Sequence, residues 1–368
     1  MKYYVIAGEA SGDLHGANLM RALREEDPAA EFRFWGGDGM AAVAGSAPVR
    51  HIRDLAIMGF VEVAVHLRTV LGNIAFCKKD IAAYRPDVVV GIDYPGFNLK
   101  IESWAKEQGL RTAHYISPNL WAWKKGRLKS MRRSLDLLCY ILPFEQRFFA
   151  ENNMPQAKYV GHPLLDAVKD NLFEPAFRGD RPVVALLPGS RRQELKRSLP
   201  LMVKLANSHP EYRFIVAGMS LLGEKLYRSL IPEESNVEVV YDQTYPLLAS
   251  AYAAVVCSGT ATLETALFNV PQVVCYRANP LSIAIAKSIV SHRIRYISLV
   301  NLIADSTIVT ELIQEDFNPA RLEREFQLVT SDESNRIRMF TQYAHMRELL
   351  SGSGASKRTA QAIINIIK

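Results

Sequence analysis

Cysteine is scarce: four residues in 368, Cys77, Cys139, Cys257 and Cys275, with no CxxC pair. Such scattered thiols, mostly inside apolar runs, exclude a disulfide framework or a thiolate metal site and read as buried free cysteines. Neither DxD nor HExxH occurs. A metal-dependent site therefore lacks its usual mark, and neither metal nor cofactor is expected. The absence of any Gly-Lys dipeptide excludes a Walker-type phosphate loop. The longest uncharged stretch, Gln243 to Leu263, is 21 residues long but holds Pro246, three hydroxyl residues and Gly259 in its second half. That excludes a spanning helix. MKYYVIAGE meets an acid at Glu9, too early for the apolar core of a secretory signal, so a cytoplasmic location is expected.

What is there describes an ordinary globular chain, 49% hydrophobic and 22% charged. At 368 residues it exceeds one core, so two domains are expected. The net charge of +6 is uneven: Lys124 to Arg133 (KKGRLKSMRR) holds six basic residues in ten positions. An anionic partner is implied. No nucleic-acid fold pattern surrounds the cluster, so nucleic acid is not expected.

Short β-branched runs alternate with helical patterns. Tyr3 to Ala7, Phe32 to Trp35, Val88 to Ile92, Thr112 to Ile116 and Leu137 to Leu142 are continuously apolar, which predicts buried parallel strands. A second series comprises Val183 to Leu187, Phe214 to Ala217, Val237 to Val240, Ala253 to Cys257 and Val273 to Tyr276. The polar Asp170 to Pro182 between them reads as a linker. The expectation is an α/β chain of two doubly wound, Rossmann-like domains, residues 1–170 and 171–344, facing a cleft. The helical C-terminal segment, about 345–368, packs back on the first domain or on a partner copy in a homodimer.

In such sheets ligands sit beyond the carboxyl ends of the strands. GEASGDLHG follows the first strand but lacks the dinucleotide spacing, leaving a tight backbone approach to a ligand, with Glu9 in the cleft. Ser11 reads as a helix cap, and Ser11, Asp13 and His15 as an accidental triad. VVVGIDYPGFN ends a buried strand with Asp93, a candidate general base whose pKa partial desolvation would raise. Capping of the next helix is its plainer role. His114 and His162 are possible helpers. LLPGSRRQELK puts Gly189 and Ser190 at a strand-to-helix turn with Arg191 beside it, an anion site in pattern. SGTATLETALF opens a helix with Ser258, Gly259 and Thr260, and places Glu264 one turn in, suited to a ribose diol. Phe60 to Phe76 is apolar around most of its circumference, with Phe60, Val63, Leu67, Val70 and Leu71 as candidate acyl or membrane contacts.

These segments resemble the lipid-A-disaccharide synthases, inverting glycosyltransferases of family 19. The resemblance rests on GEASGD at 8–13, MGFVEV at 58–63, VGIDYPGFN at 90–98 and HYISPNLWAWKKGR at 114–127. It continues through LPFE at 142–145, GHPLLD at 161–166, LLPGSR at 186–191, SGTATLE at 258–264 and SLVNLIA at 298–304. It departs from many relatives at Gly96, where an acid is common, and at Asn119-Leu120. The resemblance implies a GT-B fold and metal-independent transfer of 2,3-diacylglucosamine from its UDP derivative to 2,3-diacylglucosamine 1-phosphate (lipid X). The products are a β(1→6) disaccharide and UDP. It further implies an acceptor-binding first domain with Asp93 as base and Glu9 beside it. Arg191, Glu264 and Asn301 would belong to the UDP-sugar site of the second. Work at the cytoplasmic face of the inner membrane, as a peripheral protein, follows from acylated anionic substrates. A GT-B transferase or epimerase acting on a soluble UDP-sugar is the alternative, sharing the donor half but not requiring the apolar helix.

Overall fold

A computed structural model of the chain describes residues 1–55, 67–118, 120, 126–168, 173–278, 295–350 and 352–368. The chain divides into two compact units, Met1–Ala167 with Ser351–Lys368, and Val168–Leu350.

In the first unit, strands β1 (Lys2–Ala7), β2 (Glu31–Gly36), β3 (Arg50–His51), β4 (Val88–Ile92), β5 (Arg111–Tyr115), β6 (Leu137–Tyr140) and β7 (Ala157–Tyr159) form one sheet. Their order is β3-β2-β1-β4-β5-β6-β7, and every pairing is parallel. Helices α1 (Ala10–Glu26), α2 (Asp38–Ala44), α3 (Leu67–Tyr84), α4 (Pro95–Glu107) and α5 (Arg127–Ser134) connect them. In the second unit, β8 (Val183–Leu187), β9 (Arg213–Gly218), β10 (Glu238–Tyr241), β11 (Ala251–Cys257), β12 (Gln272–Tyr276) and β13 (Thr310–Ile313) are ordered β10-β9-β8-β11-β12-β13. These pairings too are parallel. Its helices include α6 (Arg192–Asn207), α7 (Thr260–Leu267) and α8 (Leu299–Ala304).

The apolar runs become strands because both faces of each sheet are covered, as in β4 (VVVGI) and β8 (VVALL), where every residue is buried. Three strands carry no such run. β3, β7 and β13 are sheet edges of 2, 3 and 4 residues, half-exposed and partly polar, so they lack an apolar signature. The four cysteines are free and buried.

Helix α3 docks on the first sheet through a polar hinge under an apolar one. Asp80 accepts from Tyr4 Oη at 2.8 Å and from Arg33 at 2.6 and 2.7 Å, while Ile74, Cys77 and Ile81 pack against Tyr4, Trp35 and Phe97. Of the expected lipid contacts, Phe60, Val63 and the side chain of Leu67 lie outside the described residues. Val70 is partly buried in this core, whereas Leu71 is 53% exposed. No helix among the described residues is long and apolar enough to cross a membrane.

The last helix, α9 (Ala355–Ile367), completes the first unit. Asp166 accepts from the backbone N–H groups of Gly354, Ala355 and Ser356 at 2.5, 3.3 and 2.8 Å, covering donors that a helix N-terminus leaves without internal partners. Arg358 donates to the Val160 carbonyl at 2.8 Å. Ala360, Ala362, Ile363 and Ile364 are buried within the first unit, whereas Ile366 and Ile367 are half-buried.

Candidate active site

The carboxyl end of β1 turns at Gly8 into α1, whose N-cap is Glu9. A Cβ on Gly8 would lie 2.5 Å from the Tyr94 ring. The glycine therefore makes room for an aromatic side chain of the chain itself. Glu9 is exposed. Burial, and then the nearby Glu9 charge, push the Tyr94 phenol above its ordinary pKa.

Ser11 is not a cap, since it lies inside the first turn of α1. The capping side chain is Asp13, and the helix it caps is α2. Its carboxylate accepts from the N–H groups of Gly37, Gly39 and Met40 at 2.6, 2.9 and 3.1 Å, where the partial positive charge of a helix start favours an anion. His15 is buried, and burial pushes its pKa down to about 4. The apparent triad is thus a structural set.

Asp93 and Tyr94 both adopt left-handed backbone conformations, with φ of 46° and 49°. Each costs a non-glycine residue about 1–2 kcal/mol, and such strain persists where neighbours hold it, often at functional sites. Here the Asp93 N–H donates to the Tyr115 carbonyl at 2.8 Å. Asn98 Nδ2 donates to the carbonyls of Ile6, Ile92 and Asp93 at 3.2, 3.3 and 2.7 Å. The N-cap of α4 is Tyr94, whose side chain makes no capping hydrogen bond. Asp93 is exposed in this turn.

The two histidines separate. His162 is buried, its Nδ1 accepts from the Leu164 N–H at 3.2 Å, and burial takes its pKa down to about 3. It is a satisfied core residue. His114 is also fully buried but bonds Glu102 at 2.7 Å, a partner the sequence did not announce.

A shallow groove of about 540 Å³ begins at Pro95 and Gly96, immediately after the Asp93–Tyr94 turn. Leu71, Ile74, Leu99 and Trp104 give it an apolar lining, with Lys78, Lys100 and Arg127 around them. A second, of about 640 Å³, shares Ser103, Glu107 and Ser130 with it and adds Lys106, Lys129 and Arg133. The basic cluster therefore flanks the groove; its Lys124 and Lys125 lie outside the described residues.

In the second unit the parallel pairing of β8 with β11 brings the 189–191 and 258–260 turns to the same carboxyl end of the sheet. Gly189 has φ +110°, and a Cβ there would lie 2.6 Å from Glu194 Oε2. Glu194 is the residue the sequence reading missed. One of its oxygens accepts from the N–H groups of Ser190 and Arg191 at 3.1 and 3.3 Å, and the other pairs with the Arg191 guanidinium at 3.1 Å. The signal was legible: an acid three residues after the helix cap. An anion arriving here meets donors already engaged by a carboxylate. Gly259 and Thr260 are exposed at the start of α7, with open space where a Gly259 side chain would project.

Ser258 is tied into the fold, its hydroxyl donating to the Ile297 carbonyl at 3.0 Å. Glu264 accepts from Tyr245 Oη at 2.9 Å, and burial raises its pKa above the usual carboxylate range. Phe173, Tyr245 and Phe268 pack on one another beside it, with ring centroids 5.1 to 6.0 Å apart. Asn301 is fully buried. Its amide donates to the Val309 carbonyl and Glu311 at 2.9 Å each, and its oxygen accepts from Ile308 and Val309 at 2.8 and 3.0 Å. A residue so engaged shapes the loop after α8; to touch a ligand it would have to exchange those bonds.

Two parallel α/β units with polar turns at the carboxyl ends of their strands define the GT-B fold class. Solved structures share this fold across the whole chain. A UDP co-structure of MnaA from S. aureus matches with TM-score 0.68 at 13% identity, covering 100% of this chain and 96% of that one. A UDP-GlcNAc 2-epimerase from Neisseria meningitidis, bound to UDP-GlcNAc, gives 0.64 at 13% over 100% and 99%. The glycosyltransferase of kitacinnamycin gives 0.64 at 15% over 99% and 98%.

The family model for lipid-A-disaccharide synthetase matches residues 3–366. The lipid-A-disaccharide synthase of Syntrophus aciditrophicus (strain SB) is 38% identical over 99% of this chain and 97% of its own length. That of Trichlorobacter lovleyi is 36% identical over the same shares. The chain belongs to the lipid-A-disaccharide synthetase family, the glycosyltransferases of lipid A biosynthesis.

Proposed function

We propose that the protein transfers 2,3-diacylglucosamine from UDP-2,3-diacylglucosamine to the 6-hydroxyl of 2,3-diacylglucosamine 1-phosphate (lipid X). The products are a β(1→6)-linked disaccharide 1-phosphate and UDP. The observation that carries the reading is the strained Asp93 turn in a chain of this family: an exposed aspartate at a strand's carboxyl end whose backbone is held by Asn98 and by the β5 backbone. In one displacement, Asp93 takes the proton of the acceptor hydroxyl as its oxygen bonds the anomeric carbon. The bond to the diphosphate breaks with inversion, and the electron pair leaves with UDP.

The first unit is the acceptor side. Glu9 stands beside the base, and the groove from Pro95 has an apolar lining for an acyl chain and cations for the acceptor phosphate. The second unit is the donor side. Gly189, Ser190 and Arg191 with Ser258, Gly259 and Thr260 receive the diphosphate, Glu264 the ribose, and Asn301 fixes the loop beside them. Developing charge on the leaving diphosphate is met by these donors without a metal ion. The substrates are membrane lipids, so the protein works peripherally at the cytoplasmic face of the inner membrane. Incubation with lipid X and its UDP derivative, followed by mass detection, should yield a disaccharide monophosphate. Turnover of an unacylated UDP-sugar without that product would favour an epimerase or soluble-sugar transferase instead.

A further inference from the structure

Below the Asp93 turn Asn98 belongs to a polar set whose other members the reaction as described does not use. Asn98 and Glu102 are one helical turn apart on α4 and so share a face. Both are fully buried, as is His114 on the neighbouring β5. Gly91 in β4 is what admits them: a Cβ there would collide with Glu102 Oε1 and lie 2.9 Å from Asn98 Cβ. His114 Nδ1 bonds Glu102 Oε1 at 2.7 Å. His114 Nε2, Glu102 Oε2 and Asn98 Oδ1 are buried without hydrogen-bond partners among the described residues. Unpartnered buried polar atoms cost about 1–3 kcal/mol each. Three together at a strand end are an expensive way to build a core.

We propose that Glu102 and His114 form a buried ion pair which, with Asn98, positions the Asp93 turn and holds Asp93 as a carboxylate. The inference rests on Asp93 being the base. Asn98 supplies the mechanical part by bonding the Asp93 carbonyl at 2.7 Å and the two strand-end carbonyls beside it. His114 supplies the charge. Burial works against its protonation, but Glu102 beside it, and then Asp93, outweigh burial and raise its pKa above the ordinary range. Coulombic coupling is mutual, so a cation favoured by Asp93 favours the ionised form of Asp93 in return. Glu102 cancels most of the cation's cost in the interior, and the net field reaching Asp93 depends on the His114 proton. The other titratable groups around this set are Glu9 at the end of β1, Tyr94 in the turn, Tyr115 on β5, Cys139 on β6 and Asp166, which caps α9.

The test is the pH profile of kcat/KM for disaccharide formation by the full chain. Asp93→Asn should remove the acid limb, while His114→Gln should move that limb up by about one pH unit, a tenfold loss of rate on its acid side. Glu102→Gln should move it in the same direction by less, because His114 then loses the partner that keeps it charged. UDP affinity, measured by calorimetry, should be unchanged in all three. If Asp93→Asn keeps the limb, the assignment of the base fails. If Asp93→Asn loses it but His114→Gln leaves it in place, with or without a fall in kcat, the ion pair is merely structural and this inference is overturned. Nitrogen-15 spectra of the histidines in the unmutated chain provide a reading that needs no variant. Both His114 ring nitrogens should be protonated at pH 6.5, and a neutral ring would equally overturn it.

Discussion

The Tyr94 ring occupies the space that a side chain on Gly8 would need, 2.5 Å from the position of a Cβ. Residues 86 positions apart are thereby locked together, and each is next to a carboxylate assigned to the acceptor site: Glu9 follows Gly8, and Asp93 precedes Tyr94.

Gly8→Ala should therefore behave as a displacement variant. The ring must move, overpacking should cost about 1–3 kcal/mol, and a shift of around 1 Å at the base should lower kcat by ~10²-fold. Binding of UDP to the second unit, followed by calorimetry, should be unaltered.

Asp93→Asn keeps the size of the side chain and its left-handed tolerance but cannot take a proton. Turnover should fall by at least ~10²-fold, the lower range for loss of a general base. A single-turnover assay showing near-normal chemistry would remove Asp93 from that role.

Arg191→Ala should weaken UDP binding by about tenfold, the equivalent of one charge-assisted hydrogen bond. Glu194→Gln tests the same turn from the other side. It removes the carboxylate that occupies the Ser190 and Arg191 N–H groups, so the affinity for UDP should rise or hold while Arg191→Ala lowers it. Calorimetric titration of both variants is the check.

Glu145 lies in the LPFE segment, buried, with Oε2 accepting from the Leu142 N–H at 3.1 Å. Burial pushes its pKa from 4.5 to about 8. Between those values the folded chain holds a proton that the unfolded chain has released, so this residue makes stability fall as pH rises from 4.5 to 8. Glu145→Gln should flatten that fall and raise the melting temperature at pH 8 by a few degrees, with little effect at pH 4.5. Parallel thermal melts across the window decide it.

Leu71 is exposed beside the groove that begins at Pro95. Changing Leu67 and Leu71 together to Ser should reduce flotation with anionic phospholipid vesicles while leaving turnover of detergent-dispersed substrate within about twofold. Equal flotation of both proteins would argue against this face meeting the membrane.

Ten strands were legible as apolar runs, most of them buried inside their sheets, while the edge strand β10 keeps Val239 and Val240. β3, β7 and β13 were not, because these edges are too short or too polar to carry such a run. In the site, Asp93 was legible as an acid ending a buried strand. Its left-handed backbone was not, since the bonds that hold it come from Asn98 and Tyr115, and Tyr115 lies on another strand. Gly8 was recognised as demanding a close approach, yet the approaching group is Tyr94, a pairing made only by the β1–β4 adjacency. Asn301 stood in a matching motif, but no motif reveals that all its amide groups are turned inward. In the sequence Asp13 stands in an accidental triad, and its real partner, the start of α2, lies 24 to 27 residues along the chain.

The clasp between Asp166 and the start of α9 makes the first unit discontinuous in time as well as in sequence. During synthesis, residues 1–167 leave the ribosome before the second unit, and the helix that closes over them is translated only after it. The second unit is continuous in the chain and needs no segment from outside it.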